Sequence, residues 1–484
     1  MLQSPLLDQA RSLLGGEGAV ASDRDRLRVI NPATGDVLAE LQAMGAEQTD
    51  AAIAAAERFL RGGSTLQQRR AWLAGVADRL MAHQSELARV ITLEHGKPLK
   101  ESLAEVEYAA GFFRVCADHL DHLRPHVLPG MMRRCRWTVH RRPAGVVGLI
   151  TPWNFPLAML AKKLSAAIGA GCGIVAKPAS LTPLSAMALA AVAAQAGVPA
   201  GMLNVVVGPS GPIGRTLCEH PAVRLISFTG STEVGRQLMQ AVVPGMKRLA
   251  LELGGNAPFI VFDDADLPAA VEGLVANKFR AGGQTCVCAN RVYVHARVHE
   301  VFVDALLPRV RALKVGNGLE PDTDLGPLIN REAFDKVQAH VQDAVTHGAR
   351  LLAGGEAPRP AHEWGAFFPP TVLTGMTPRM RVCREETFGP VIPISTFDDE
   401  DGVIRSANDT PHGLAAYVYT RDPARAERVA GQLICGHVGV NTGTGPTPQA
   451  PFGGRKQSGF GREGGLEGLL EFTETQTVAD AQPA

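Results

Sequence analysis

The stretch FTGSTEVGR, residues 228–236, follows a short apolar run and opens a helix predicted over residues 231–242. Ser231, Thr232 and Glu233 are residue types that commonly cap the start of a helix. In such a turn the backbone N–H groups and the positive end of the helix can face a pyrophosphate. The stretch lacks the GxGxxG spacing, and a glycine-bounded turn is more often only a turn. It therefore predicts a strand-turn-helix unit first and a nucleotide site second.

The same alternation of short apolar runs and longer Ala- and Leu-rich segments continues around this stretch. The runs expected to be strands are 146–150, 174–176, 203–207 and 225–228. A helix is expected after the second run, over 183–196. This order is typical of βαβ units and predicts a doubly wound parallel sheet.

Further elements are expected before and after this sheet. Helices are predicted over 49–59, 66–93, 267–279 and 299–313, and strands over 259–262 and 291–295. Gly96 and Pro98 are expected to stop the helix over 66–93. Since the elements after residue 257 form a second set, the sequence predicts an α/β fold with two α/β domains.

Composition limits the classes of partner. At about 150 residues for one domain, the chain of 484 residues is long enough for about three units. Its 48 Lys and Arg balance its 48 Asp and Glu, so the protein lacks a net charge that would favour binding to nucleic acid or to an anionic membrane.

The sequence also indicates where the protein is expected to be found. The first 20 residues lack the pattern of a secretory signal, and no stretch is apolar and long enough to be predicted as a membrane span. Eight scattered cysteines are typical of a reducing compartment, so we expect a cytoplasmic protein.

Cys286 lies in GQTC, residues 283–286, between a predicted helix and a predicted strand. Most free cysteines are buried and inert, and that alternative is open from the sequence alone. Metal binding is not expected, because Cys288 and His295 do not complete a ligand set. For His119 and His122, a solvated helix face is likewise favoured over a metal site.

Three further polar residues follow predicted strands. Glu252 ends an apolar run in LELGG, where loss of water raises a carboxyl pKa and makes it a candidate general base. Asn154, in PWNFP, lies where open α/β sheets place ligands, and its amide can donate to an oxyanion. Lys177, in KPAS, could meet a ribose or its phosphate. A surface glutamate, a turn asparagine and a solvated lysine are the alternatives.

The joint order of these features resembles the aldehyde dehydrogenase superfamily over about residues 31–472. The resemblance rests on Asn154, Lys177, Gly230, Glu252, Cys286 and ETFGP at 386–390, and on the long phrases at 228–236, 251–262 and 283–291. Within the superfamily the chain is most similar to the succinate-semialdehyde dehydrogenase branch, also through 408–411, 413–415 and 451–454.

The resemblance implies roles in catalysis. Cys286 would be the nucleophile that forms a thiohemiacetal, with Asn154 and the Cys286 N–H holding the oxyanion. Glu252 would activate water to cleave the thioester, with Lys163 assisting. Family members that pass the acyl group to coenzyme A generally lack this carboxylate, so Glu252 favours hydrolysis to a free acid.

The resemblance also implies a dinucleotide site. The residues that would bind the cofactor are Trp153, Asn154, Lys177, Ser180, Gly230, Ser231, Gly235, Leu253, Glu386 and Phe388. Ser180 stands where NAD-selective relatives often carry Glu, so with Lys177 it leaves room and charge for a 2′-phosphate. We expect NADP, with NAD allowed.

Substrate recognition is implied for Arg280 and Lys162. The branch holds the distal carboxylate of its substrate with two arginines and a serine. Lys162 replaces one of these arginines and cannot form its two parallel hydrogen bonds to a carboxylate. The loop over 444–449 lacks the expected serine. Succinic semialdehyde or a close ω-oxo acid is therefore expected, while glutaric and neutral aldehydes stay open. Cys288 is a candidate redox partner of Cys286.

The expected architecture is a Rossmann-type cofactor domain, a catalytic α/β domain and a small oligomerisation arm. Their boundaries are 1–120 with 144–251, then 252–442, then 121–143 with 443–484, the last also supplying a substrate-site loop. A homodimer or homotetramer is expected. Two other hypotheses are a nucleotide-binding protein without catalysis and a cofactor-free thiol hydrolase.

Overall fold

A computed structural model gives the fold over residues 3–14, 26–129, 135–357 and 364–481. The strands are β1 (Arg26–Ile30), β2 (Val37–Gln42), β3 (His126–Val127), β4 (Cys135–Pro143), β5 (Val146–Ile150), β6 (Gly173–Lys177), β7 (Leu203–Val205), β8 (Val223–Thr229), β9 (Arg248–Glu252), β10 (Ala257–Val261), β11 (Ala289–His295), β12 (Arg350–Ala353), β13 (Thr371–Thr374), β14 (Val391–Phe397), β15 (Ala415–Tyr419), β16 (His437–Val440), β17 (Gly459–Phe460) and β18 (Thr473–Ala481).

Helices connect and cover these strands. They are α1 (Pro5–Leu14), α2 (Ala46–Gly62), α3 (Leu66–Ala82), α4 (Gln84–His95), α5 (Leu99–His119), α6 (Ala158–Ala170), α7 (Leu184–Gln195), α8 (Ser210–Glu219), α9 (Thr232–Val242), α10 (Leu267–Lys278), α11 (His299–Arg311), α12 (Arg331–Thr346), α13 (Arg381–Arg384), α14 (Glu400–Asn408), α15 (Pro423–Gln432) and α16 (Gly465–Glu471). Within the described ranges, no helix is long and apolar enough to cross a membrane.

The first sheet has the strand order β17-β9-β8-β5-β6-β7. All its pairs are parallel except β17 with β9. The chain starts at β5, builds β6 and β7 on one side, and then places β8 and β9 on the other. Open sheets bind ligands at such a switch point, outside the carboxyl ends of the strands. The predicted doubly wound sheet is confirmed, and its ligand edge lies after β5 and β8.

The second sheet has the order β12-β13-β14-β11-β10-β15-β16 and is parallel apart from β12. Its interior strand β10, between β11 and β15, is fully buried because every residue of APFIV is apolar and covered on both faces. The predicted second set of α/β elements is therefore confirmed.

A third sheet contains strands from the segment 121–143, which the sequence analysis assigned to the oligomerisation arm. β4 pairs with β18 along its whole length, and β3 pairs with β4. Most of β18 is exposed. The domain boundaries given above stay a prediction.

The single helix predicted over residues 66–93 is wrong, because the chain forms α3 and α4 instead. His83 separates them, with its N–H donating to the Arg79 and Met81 carbonyls that close α3. Gly96 does end α4, at φ 92°, as predicted. A side chain there would lie 2.8 Å from Pro327 and 3.0 Å from Pro32, so this glycine is needed for conformation and for space.

Replacing Gly96 by Ala should destabilise the protein more than replacing Gly348 by Ala. Both glycines have a left-handed backbone, at φ 92° and 98°, which costs a side chain about 1–3 kcal/mol. Nothing lies within 4 Å of a Cβ at Gly348, whereas Gly96 adds the proline clash at about 1–3 kcal/mol. Calorimetric unfolding midpoints measure the difference. Equal decreases in the two variants would contradict the packing at Gly96.

Candidate active site

A cavity of about 670 Å³ lies at the carboxyl ends of β5, β8 and β9 and reaches the loop before β11. Many of the predicted site residues line it. They are Trp153, Asn154, Lys162, Gly230, Ser231, Glu252, Leu253, Arg280, Cys286, Glu386 and Phe388. The lining given by the described residues does not include Lys163, Lys177, Ser180, Gly235 or Cys288.

Glu252 is the last residue of β9, and its side chain is only 4% exposed. Neither carboxylate oxygen has a hydrogen-bond partner among the described residues. Burial raises the pKa of this carboxyl well above its usual range, and the negative charge of Glu463 adds to the rise. The predicted desolvation is present. Two open oxygens at a cavity wall are what a proton acceptor for water requires.

Cys286 follows a tight turn that comes after α10. Ala281, Gly282 and Gly283 all have positive φ there, and a Cβ at Gly283 would lie 2.2 Å from the Gly389 carbonyl oxygen. The turn therefore packs directly against the loop that carries Glu386. Burial raises the pKa of the Cys286 thiol to about 12, with Glu386 contributing. The thiol is consequently protonated at neutral pH and needs a base to become a nucleophile.

Asn154 lies in the loop after β5 and is buried. Its Nδ2 donates to the Gln284 carbonyl at 2.9 Å, which ties this loop to the Cys286 loop. Its Oδ1 has no partner in the described part of the chain. One N–H of the amide is thus used by Gln284, and the second remains for a ligand.

Lys163 does not reach the cavity but lies behind its wall. Its fully buried Nζ donates to Ser227 Oγ at 3.0 Å and to Glu463. Lys162 pairs with the other oxygen of Glu463. Its positive charge acts on Glu252 and lowers the pKa of that carboxyl, and the assisting role of Lys163 stays a prediction.

Sequence reasoning missed Glu463, the carboxylate shared by both lysines. Burial opposes its charge, but Lys162 and Lys163 lower its pKa below the usual range. The signal that could have found it is its place in the Gly- and Pro-rich segment over 443–465, which is too rich in aromatic residues for a linker. An acidic residue in such a segment is expected to pair with another residue of the fold rather than to face solvent.

The glycine turn before α9 lines the cavity at the start of a helix, an arrangement that suits the phosphates of a dinucleotide. Ser231 caps the helix, its Oγ accepting from the Val234 N–H at 3.3 Å. A Cβ at Gly230 would lie 2.4 Å from the Phe228 ring, so no larger residue fits the turn. Gly235 instead lets α9 pack closely on Leu253, since a Cβ at this glycine would lie 2.6 Å from the Leu253 side chain.

The other walls also fit such a group. Glu386 accepts from the Gly255 N–H at 3.0 Å, and burial raises its pKa to about 7. Trp153 and Phe388 meet edge to face with ring centres 5.6 Å apart. A helix start, a buried acid and two aromatic rings suit a phosphate, a ribose and a flat ring.

Lys177 is the last residue of β6, and Ser180 precedes Leu181, which lines the cavity. Lys177 is 3% exposed, so the solvated alternative is wrong. Its Nζ donates to the Pro178 carbonyl at 3.1 Å and to Ser210 Oγ at 2.9 Å, and burial lowers its pKa to about 8. Ser180 Oγ donates to the Gly208 carbonyl at 2.9 Å.

Cys288 is buried outside the cavity lining. Lys278 Nζ lies 3.6 Å from its Sγ, and the Gly283 carbonyl lies 3.4 Å from it. Both Cys286 and Cys288 are free thiols, and their redox pairing stays a prediction. No group of three or more metal-ligand side chains occurs in the described residues.

Arg280 stacks on the Phe155 ring at 4.7 Å. A second cavity of about 400 Å³ shares Arg280, Thr285 and Val287 with the first. The guanidinium therefore stands in a wall common to two open spaces.

Comparisons with known proteins agree with this geometry. Residues 19–478 match the aldehyde dehydrogenase family. The NADP⁺-dependent succinate-semialdehyde dehydrogenase of Escherichia coli is 48% identical, over 97% of this chain and 97% of that protein. The glutarate-semialdehyde dehydrogenase of Pseudomonas putida is 46% identical over 98% of each. The crystal structure of an oxidoreductase from Marinobacter aquaeolei is 52% identical, with a TM-score of 0.94 over 99% of this chain and 100% of that one. The chain belongs to the aldehyde dehydrogenase family.

Proposed function

We propose that the protein oxidises a small semialdehyde with a distal carboxylate to the dicarboxylic acid, using NADP in preference to NAD. The observation that carries this proposal is that Cys286, Asn154, Glu252 and Arg280 line one cavity with most of the candidate cofactor residues. The substrates named for the relatives from E. coli and P. putida support the same class.

The thiol of Cys286 attacks the aldehyde carbonyl carbon and forms a thiohemiacetal. Its proton leaves to water that enters the cavity, so this step does not require Glu252. The free N–H of the Asn154 amide stabilises the developing oxyanion, an effect worth about 2.7–4 kcal/mol for one donor.

The residues that would hold the cofactor are Trp153, Ser231, Leu253, Glu386 and Phe388 at the cavity, together with Lys177 and Ser180. The bound nicotinamide supplies the acceptor for the hydride of the substrate. Glu252 then takes a proton from water, which attacks the thioester on Cys286 and releases the acid.

Arg280 carries most of the recognition of the distal carboxylate in this proposal. Lys162 is already paired with Glu463, which it shares with Lys163, so its ammonium is engaged before a substrate binds. Arg280 donates no hydrogen bond to another of the described residues and faces two cavities. The second cavity favours glutaric semialdehyde as the alternative substrate, because it gives a longer chain room beyond the guanidinium.

We also propose a homodimer or homotetramer in the cytoplasm. The exposed strand β18 and the apolar end of α9 support assembly, since Val243 and Met246 are 69% and 89% exposed. Large exposed apolar side chains near one another are typical of subunit contacts.

Replacing Cys286 by Ala and Glu252 by Gln should separate the two half-reactions. Cys286→Ala abolishes formation of reduced cofactor but leaves cofactor binding intact. Glu252→Gln keeps a burst of reduced cofactor, followed by turnover about 10²–10⁴-fold slower. Stopped-flow absorbance at the reduced nicotinamide band measures both.

The pH dependence gives a second measurement on the same variants. Because the pKa of Glu252 is raised, its charged form grows only at a pH above the usual range of a glutamate, so steady turnover increases with pH through that higher range. Glu252→Gln should remove that rise. Loss of the burst in this variant would count against a role confined to thioester hydrolysis.

Cofactor choice should depend on Ser180 and on the charge of Lys177. Ser180→Glu raises the KM for NADP about tenfold or more relative to NAD, since two like charges meet, whereas Ser180→Ala does not. Lys177 loses its charge as pH rises through about 8, so the KM for NADP should increase from pH 7 to 9. The KM for NAD is the internal control, and a parallel rise in both would contradict the assignment.

Arg280→Met should lower kcat/KM for succinic and glutaric semialdehydes by about 10²-fold, the size of a lost charged hydrogen bond, and leave neutral aldehydes nearly unchanged. Lys162→Met is the comparison, with a smaller change in acid preference because Glu463 already pairs with Lys162. Steady-state kinetics over an aldehyde panel measure these ratios. An equal loss for acidic and neutral aldehydes would contradict carboxylate recognition by Arg280.

A further inference from the structure

A buried ion pair lies directly under the loop that carries Asn154. Lys97 Nζ donates to Glu105 Oε2 at 2.6 Å, and both side chains are 0% exposed. The same Nζ donates to the backbone carbonyl of Asn154 at 2.7 Å and lies 3.8 Å from the centre of the Phe155 ring. The ammonium is therefore bound to the loop as well as to its acidic partner.

Glu105 holds the other end of the same loop. Its Oε1 accepts from the backbone N–H groups of Leu157 at 3.0 Å and Ala158 at 3.1 Å. These groups lie at the start of α6, where N–H groups lack helix partners. The pair thus fixes the backbone of residues 154–158 at both ends.

The helix that carries Glu105 also holds the opposite loop. Glu101, one turn earlier on α5, accepts from the Ala281 N–H at 2.7 Å, in the left-handed turn before Cys286. The two loops then meet where Asn154 Nδ2 donates to the Gln284 carbonyl. One helix therefore sets the position of both sides of the oxyanion site.

We propose that Lys97 and Glu105 are positioning residues that hold the Asn154 amide with one N–H on Gln284 and the other available to the oxyanion. This inference rests on the proposed function, in which Asn154 stabilises the thiohemiacetal oxyanion. Apolar residues of similar size would stabilise a core at least as well as a buried ion pair. Unlike such apolar residues, the charged pair supplies a donor and an acceptor to the backbone of this loop.

A double-mutant cycle between Lys97→Met and Asn154→Ala tests the proposal. Alone, Asn154→Ala lowers kcat by about 10²–10³-fold, and Lys97→Met should lower it about tenfold. If Lys97 acts through Asn154, the double variant loses little more than Asn154→Ala alone. The Kd for NADP, measured by fluorescence, stays within about twofold in each variant.

Glu105→Gln gives the same cycle with nearly unchanged shape, and it serves if Lys97→Met does not fold. The matched control is Glu94→Gln, because Glu94 is equally buried and accepts from the N–H groups of Leu184 and Ser185 at the start of α7. Its effect on kcat should multiply with that of Asn154→Ala.

The two failures are distinguishable. Multiplication of the Lys97 and Asn154 losses would overturn the inference alone, since the pair would then act on stability in general. An unchanged kcat in Asn154→Ala itself would overturn the oxyanion role in the proposed function, and the inference with it.

Discussion

Charge held away from water governs the chemistry of this site. A buried charge is costly unless it is paired and hydrogen-bonded. Lys162 and Lys163 both satisfy this condition on Glu463, whereas Glu252 has no such partner in the described structure. The imbalance raises the pKa of Glu252 and leaves its oxygens open toward the cavity. Glu252, whose carboxylate oxygens have no hydrogen-bond partner among the described residues, is therefore the group placed to accept a proton.

The nucleophile follows the same rule. With its pKa raised to about 12, the Cys286 thiol is neutral at rest and reacts poorly with adventitious electrophiles. The full reaction requires an oxyanion donor during the attack and a base during thioester hydrolysis, and these come from different strands and loops. The presence of both, in one cavity with most of the candidate cofactor residues, argues against a binding protein without catalysis.

Sequence patterns predicted the parts of this structure that depend on local chemistry. The apolar run at 146–150 and the capped helix after Gly230 appear as expected, because burial and capping act over a few residues. Glu252 was predicted to be desolvated from its apolar neighbours alone. The break at His83 and the role of Glu463 were not predicted. Each depends on contacts with residues far along the chain. The contacts of Lys97 and Glu105 with the Asn154 loop are of the same kind.

The short strand β17 has a consequence for how the protein is made. It pairs Gly459 with Glu252 and Phe460 with Leu251, so the edge strand beside Glu252 comes from a segment made much later than β9. Phe452 and Glu463 are supplied by the same late segment. During synthesis on the ribosome the nascent polypeptide therefore carries Cys286 long before the pocket around it can close. A chain that stops before residue 452 lacks the residues that close the pocket.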